Sequence, residues 1–495
     1  MVHSLFQKRI AIQLQQNAFV QKTEPHGLTS MFSRYFTSHT GGKSVAILGI
    51  LCAGHVWAVD TPVVVHLTGL VHFDAHAVVS NGTQYFSDKD SASMADQFEF
   101  RRARLGVKGT VSEGIAYEVI LNATGSDTHW MDTGFMTFGT DPSLQWRFGR
   151  FRQPFSLEAM TRDANTDFME RSYGDQLGPN KLLGIMALGE PAKGVTYGAS
   201  LAQSGFNQIS SARKFGGLYT GRVTGNAAAW KDMPHQVMHF GVSTHAGTAY
   251  IMPTTSSNTG TSASGTTRAT ILNFRTEDRG YASAYRAQLA GDKLTSYSYG
   301  TSADNVATVN KQLQDIEFAY ARGAWKFQSE YSHMAMTASA YDSYSAKTQS
   351  MSLNVRTFYH EIFYNLTGEN WTDAYKSGSF VGIKPRSNFQ FAKGGSGAWQ
   401  TGIRYSAYKV SLPGTTTACS SSCFADGGNQ NSRVENSEKA HTITLGLNWW
   451  LNPNTAFKMN YAVTRFDRPV SVLSTNSSDT FTREDVLSVR VQLNF

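Results

Sequence analysis

A chain of 495 residues has room for two or three soluble domains, yet only 16% of it is charged, 41% is hydrophobic and 12% aromatic, with 44 Gly against 12 Pro. That balance excludes a disordered chain and suits strands that are half apolar and half polar. The formal charge of +7 falls to an excess of three without residues 1–58, which hold Lys8, Arg9, Lys22, Arg34 and Lys43 against Glu24; with no Lys/Arg run of five, nucleic acid is excluded as a partner.

The first element is an export signal. Val45 to Gly54 is the only sustained apolar run, preceded by Arg34 and Lys43 and followed by Val56-Trp57-Ala58. It is too short for a membrane helix, which needs about 20 apolar residues. The pattern predicts cleavage after Ala58, so that residues 1–58 are an extension plus signal peptide and residues 59–495 form one mature domain. Starting at Met31 would give a signal of ordinary length with Arg34 in its basic region, and translation is expected to begin there. Leu51 stands before Cys52 where a lipoprotein would need a small residue.

An exported chain that crosses lipid without such a helix must close into a β-barrel, because lipid satisfies no backbone hydrogen bonds. Period-two alternation places strands near 63–76, 96–110, 113–124, 144–151, 215–228, 235–248, 281–291, 311–322, 324–338, 347–358 and 397–411. Weaker segments lie near 130–138, 182–203 and 266–304. A hairpin follows, with Ile443, Leu445, Leu447, Trp449 and Leu451 on one side of the turn Asn452-Pro453-Asn454 and Phe457, Met459, Tyr461 and Val463 on the other. The last segment alternates Leu487, Val489, Val491, Leu493 and Phe495 with Ser488, Arg490, Gln492 and Asn494. The expected fold is all-β, a transmembrane antiparallel barrel of about sixteen strands, with loops at Thr254–Thr267 and Pro413–Ser432. Trp449-Trp450 and Phe148/Phe151 sit where interface girdles belong. Cys419 and Cys423 predict a small disulfide-closed loop, with free thiols as the alternative, and a metal site would want more ligands nearby.

Phe100-Arg101-Arg102-Ala103-Arg104-Leu105-Gly106-Val107-Lys108-Gly109 resembles the second strand of the phosphate-selective porins O and P. Gly149-Arg150-Phe151-Arg152-Gln153-Pro154-Phe155-Ser156-Leu157-Glu158, followed by Asp167-Phe168-Met169-Glu170-Arg171-Ser172, resembles that family's entry into its third loop. Gly397-Ala398-Trp399-Gln400 and Leu445-Gly446-Leu447-Asn448-Trp449-Trp450-Leu451-Asn452-Pro453 continue the likeness over residues 63–495. The resemblance implies sixteen strands, a homotrimer, a third loop folded inward, and passive diffusion of phosphate or other small anions. Outer-membrane placement makes membrane lipid and lipopolysaccharide its surroundings.

The strand face opposite the apolar residues is expected to line the pore. It carries Arg102, Arg104, Lys108, Arg147, Arg222, Arg286, Lys326, Arg356, Arg404, Lys458 and Arg490 against Asp74, Glu118, Glu317 and Glu330. A basic wall lowers the energy of an entering anion, and arginine's fork of donors can pass it along. Arg101 has the opposite parity and should mark an interface or a bulge. The constriction, placed at 152–181, mixes Arg152, Arg162, Arg171 and Lys181 with Glu158, Asp163, Asp167, Glu170 and Asp175, so Glu158 and Glu170 are read as braces. Rival functions are a broad-specificity porin, a barrel enzyme and a plugged adhesin. No Gly-x-Ser-x-Gly, His-Glu-x-x-His or phosphate-cradling motif supports an enzyme, and no cofactor or metal is implied.

Overall fold

The computed structural model describes residues 63–80, 97–124, 130–204, 216–251, 254–255, 267–280, 284–291, 307–342, 347–392, 394–412, 432–471 and 480–495. The expected signal with Met31 and Ala58, and the pair Cys419 and Cys423, lie outside them. No helix among the described residues is long and apolar enough to cross a membrane.

Sixteen antiparallel strands close into a barrel. The first eight are β1 Val64–Ser80, β2 Gln97–Ser112, β3 Ile115–Asn122, β4 Met131–Phe138, β5 Gln145–Arg152, β6 Lys181–Ala192, β7 Val195–Gln203 and β8 Gly217–Asn226. The rest are β9 Gln236–Ile251, β10 Ala307–Arg322, β11 Trp325–Asp342, β12 Lys347–Asn365, β13 Ala398–Ser411, β14 Lys439–Asn452, β15 Thr455–Ser471 and β16 Thr480–Asn494. Closure pairs β1 with β16, from Leu70 opposite Asn494 to Ala77 opposite Leu487.

Alternation decides which face is wet. In β16, Val489, Val491 and Leu493 stand exposed outside while Ser488, Arg490 and Gln492 are buried within. Val223, Val242, Ile316, Ile403 and Leu445 are between 47% and 61% exposed on the outer surface, which water would penalise and lipid accepts. At the end with the short turns, Trp399 stacks on Trp449 at 5.0 Å and Trp449 on Phe457 at 5.8 Å, with Trp325 against Tyr364 at 4.5 Å. Such a girdle marks the membrane boundary. Gly149, with φ 125°, lets β5 kink just before the third loop; a Cβ there would lie 2.2 Å from the Gly134 carbonyl oxygen.

The weak segments at 130–138 and 182–203 are wall strands β4, β6 and β7. The segment at 281–291 is not. Tyr285–Gly291 pairs with Thr267–Phe274 and Ser432–Asn436, and Thr254–Thr255 completes a separate four-stranded sheet. This sheet packs Phe274, Tyr285 and Leu289 against Leu313, Met334, Met336, Leu353 and Val355, the inward residues of β10 to β12. From the short-turn end the connection 366–397 also enters, burying Trp371, Phe380 and Ile383 with Phe168, Phe363 and Trp450.

Candidate functional site

Residues 153–180, between β5 and β6, fold inward as the third loop. A helical turn, Leu157–Met160, starts at Ser156, whose hydroxyl accepts the Ala159 N–H at 3.1 Å. The buried N–H groups of Leu157 and Glu158 donate to the Glu330 carboxylate of β11 at 3.0 and 2.7 Å, satisfying donors that a helix start leaves open. Further along, Tyr173 meets Thr442 at 2.9 Å and the Asn448 amide donates to the Asp167 carbonyl at 2.8 Å.

Glu158 accepts the Ser172 N–H at 2.9 Å and its hydroxyl at 2.6 Å, and lies 3.3 Å from Arg404, which Glu277 also neutralises at 2.8 Å. Burial pushes the Glu158 carboxyl up to about 7, outweighing Arg404. An acid raised in this way contributes fully below its ordinary value of 4.5, and that contribution is lost as pH rises through about 7. Loop-borne current noise is therefore expected to grow between about pH 5 and about pH 8. Recordings of Glu158→Gln should show no such growth; equal growth in the variant would contradict the assignment.

Asp163 lies among four guanidiniums: Arg171 at 2.7 Å, Arg102 at 3.3 Å, Arg152 at 3.4 Å, and Arg104 in direct contact. Glu170 holds Arg101 at 2.8 Å and Arg490 at 2.9 Å. Burial alone would raise both carboxyls, but the surrounding arginines hold them well below the usual carboxylate range. Arg101 is the extra residue of a bulge, since His72 pairs with Arg102 and Phe73 with Phe100.

The basic residues expected on the pore wall divide into three groups. Arg102, Arg222, Lys326, Arg404, Lys458 and Arg490 point inward but are buried against the inserted segments. Arg222 meets Glu317 at 2.7 Å and the Gly378 carbonyl at 2.8 Å. Lys326 pairs with Asp167 under Trp371 and Phe380, Lys458 donates to the Thr166 carbonyl at 2.5 Å, and Arg490 grips Asp74 at 2.6 Å.

Two further placements correct the expectation. Arg286 belongs to the four-stranded sheet and not to the wall. Arg356 stands exposed on the outer face of β12, because the apolar Met351, Leu353 and Val355 of that strand turn inward onto the inserted sheet.

Arg104, Lys108 and Arg147 remain on open space. With the β7–β14 side filled, a cavity of about 480 Å³ lies against the β1–β6 side, lined by Arg104, Lys108, Arg147, Arg152, Arg162 and Lys181 against Glu118, Asp132 and Asp163. A neighbouring cavity of about 540 Å³ at the short-turn mouth shares Lys108, Arg147 and Glu118. Arg147 is oriented by the Thr137 hydroxyl at 3.0 Å and by the Phe135 ring at 4.1 Å; Arg162 is largely exposed, 3.7 Å from Glu118. Lys181, opposite Arg152 at the start of β6, pairs with Asp132. Sequence reading placed it in the loop, although the apolar alternation of β6 could have put it on the wall.

A family profile described as phosphate-selective porin O and P matches residues 76–495. Porin O of Pseudomonas aeruginosa is 23% identical over 399 residues, covering 76% of this chain and 79% of that protein. An uncharacterised protein of Caulobacter vibrioides is 24% identical over 405 residues, covering 80% and 68%. Among solved structures, OmpT, an outer membrane protein of Vibrio cholerae, aligns with a TM-score of 0.46 at 10% identity over 87% of this chain and 97% of that one. The anion-selective porin from Comamonas acidovorans aligns with a TM-score of 0.44 at 12% identity over 88% and 100%. A closed sixteen-strand barrel matched from His76 in its first strand to the last residue settles its kinship: the chain belongs to the phosphate-selective porin O and P family, as an outer-membrane porin.

Proposed function

We propose that the barrel passes small anions of the phosphate and pyrophosphate type by passive diffusion, along the β1–β6 side. The observation that carries this reading is the lining itself: six cations against three carboxylates on the space the inserted segments leave open. Arg104 and Lys108, four residues apart on β2, stand about 13 Å apart along the strand, a spacing that supports transfer from one site to the next. Water in the passage screens each contact, so an anion is attracted without being trapped. The chain acts as a channel and not as a catalyst. The family resemblance supports a homotrimer standing in lipid and lipopolysaccharide.

Phosphate added to single channels in planar bilayers is expected to reduce chloride current. Chloride current indifferent to phosphate would favour the rival reading, a broad-specificity small-solute porin, for which Glu118 and Asp132 in the same lining speak. Export through the predicted signal puts the mature amino terminus at Val59, and mass spectrometry of the outer-membrane protein should find it there. A different terminus would reject cleavage after Ala58.

A further inference from the structure

The outside of the barrel carries cations that conduction does not use. On the outer face of β12 to β16, Arg356 pairs across strands with Lys409, Lys409 with Lys439, His441 with Arg465, and Arg465 with Arg483. Like charges directly opposite one another are destabilising, so three such pairs, in two registers two residues apart, call for a counter-anion. Asp467 reaches Lys439 at 4.0 Å and Asp485 binds Arg483 at 2.6 Å. Among the described residues no carboxylate pairs with Arg356, Lys409 or Arg465.

The level of the row is informative. From Ala398 to Lys409, Thr455 to Arg465 and Asn494 to Arg483, ten or eleven residues of tilted strand rise roughly 26 Å from the short-turn end, the height of a barrel's apolar band. Beneath it Ile403, Tyr405, Ile443, Leu445, Met459 and Val489 face outward, so the row marks the upper edge of the lipid-facing surface. Five adjacent strands at about 4.8 Å make it roughly 20 Å wide.

A second copy of the chain offers it no match. Among the described residues, the exposed acids away from the row lie at the short-turn end, Glu190 near the end of β6 and Glu113, Asp141, Asp232 and Asp373 in connections.

We propose that Arg356, Lys409 and Arg465 form a docking row for the phosphate groups of lipopolysaccharide in the outer leaflet. This rests on the outer-membrane reading, with the short turns facing the periplasm. Guanidinium and ammonium groups at one level bind several phosphates of one glycolipid, and the tyrosine and aliphatic residues below receive its acyl chains.

The test is titration of the full chain in detergent with diphosphorylated lipid A and with its dephosphorylated form, for the wild type and for Arg356→Gln/Lys409→Gln/Arg465→Gln. The wild type should prefer the phosphorylated lipid, and the triple variant should bind it roughly a hundredfold more weakly, about fivefold per cation. Unitary conductance should be the same in wild type and variant, since none of the three lines the passage; a wild type without conductance would count against the porin reading instead. Equal binding of both lipids by the wild type, undiminished binding by the variant, or a variant that loses subunits in light scattering would overturn the proposal.

Discussion

Asp163→Asn is expected to free the third loop while leaving the barrel folded. Asparagine keeps the size of the side chain and removes its charge, leaving Arg102, Arg104, Arg152 and Arg171 clustered at a buried point with their shared counter-ion gone. Removing one partner of a buried ion pair costs about 3–5 kcal/mol, enough to release a loop held by a handful of hydrogen bonds. Single-channel records should show larger, flickering conductance, while far-UV circular dichroism keeps its strand signal. A quiet channel of wild-type size would mean that Glu330 and Glu170 hold the loop without Asp163.

Reversing two charges on the open wall should have the second large effect. Lys108→Glu with Arg147→Glu changes the lining by four units, enough to overturn an excess of three cations. One unit charge about 4 Å from an ion is worth about 1 kcal/mol even in water, roughly fivefold in occupancy. The chloride-to-potassium permeability ratio is therefore expected to invert. Lys193→Glu, at the exposed turn between β6 and β7 where Lys193 pairs with Asp232, reverses one charge, a change of two units, away from the passage and should leave the ratio as it was. An unchanged ratio in the double variant would place the ion path elsewhere.

Much of the wall was legible because lipid imposes a strict rule. Residues such as Val489, Val491 and Leu493 must face outward together, and period two records it. What the period cannot record is which dry surface an apolar face meets. Met351, Leu353 and Val355 look like a lipid face, but they pack on the inserted sheet, which turns Arg356 outward and reverses its expected role. The same ambiguity made Tyr285–Gly291, with Arg286, look like a wall strand. The bulge at Arg101 was readable, since its parity clashed with its neighbours.

The site was legible as an excess of charge more than as a path. Eleven basic residues pointed to a cationic interior, yet whether each meets water or a carboxylate depends on contacts far apart in sequence. Arg490 with Asp74 spans β16 and β1, and Arg222 with Glu317 spans β8 and β10. The connection 366–397, which helps to confine the passage to the β1–β6 side, shows no periodicity that would announce an insert. Its Trp371 and Phe380 could be read only as loop aromatics.

The reversal potential of the wild-type channel in a roughly tenfold KCl gradient weighs most directly on a cation-lined, water-filled passage. The expected sign is the one set by chloride, displaced when phosphate replaces it. A sign set by potassium would contradict it.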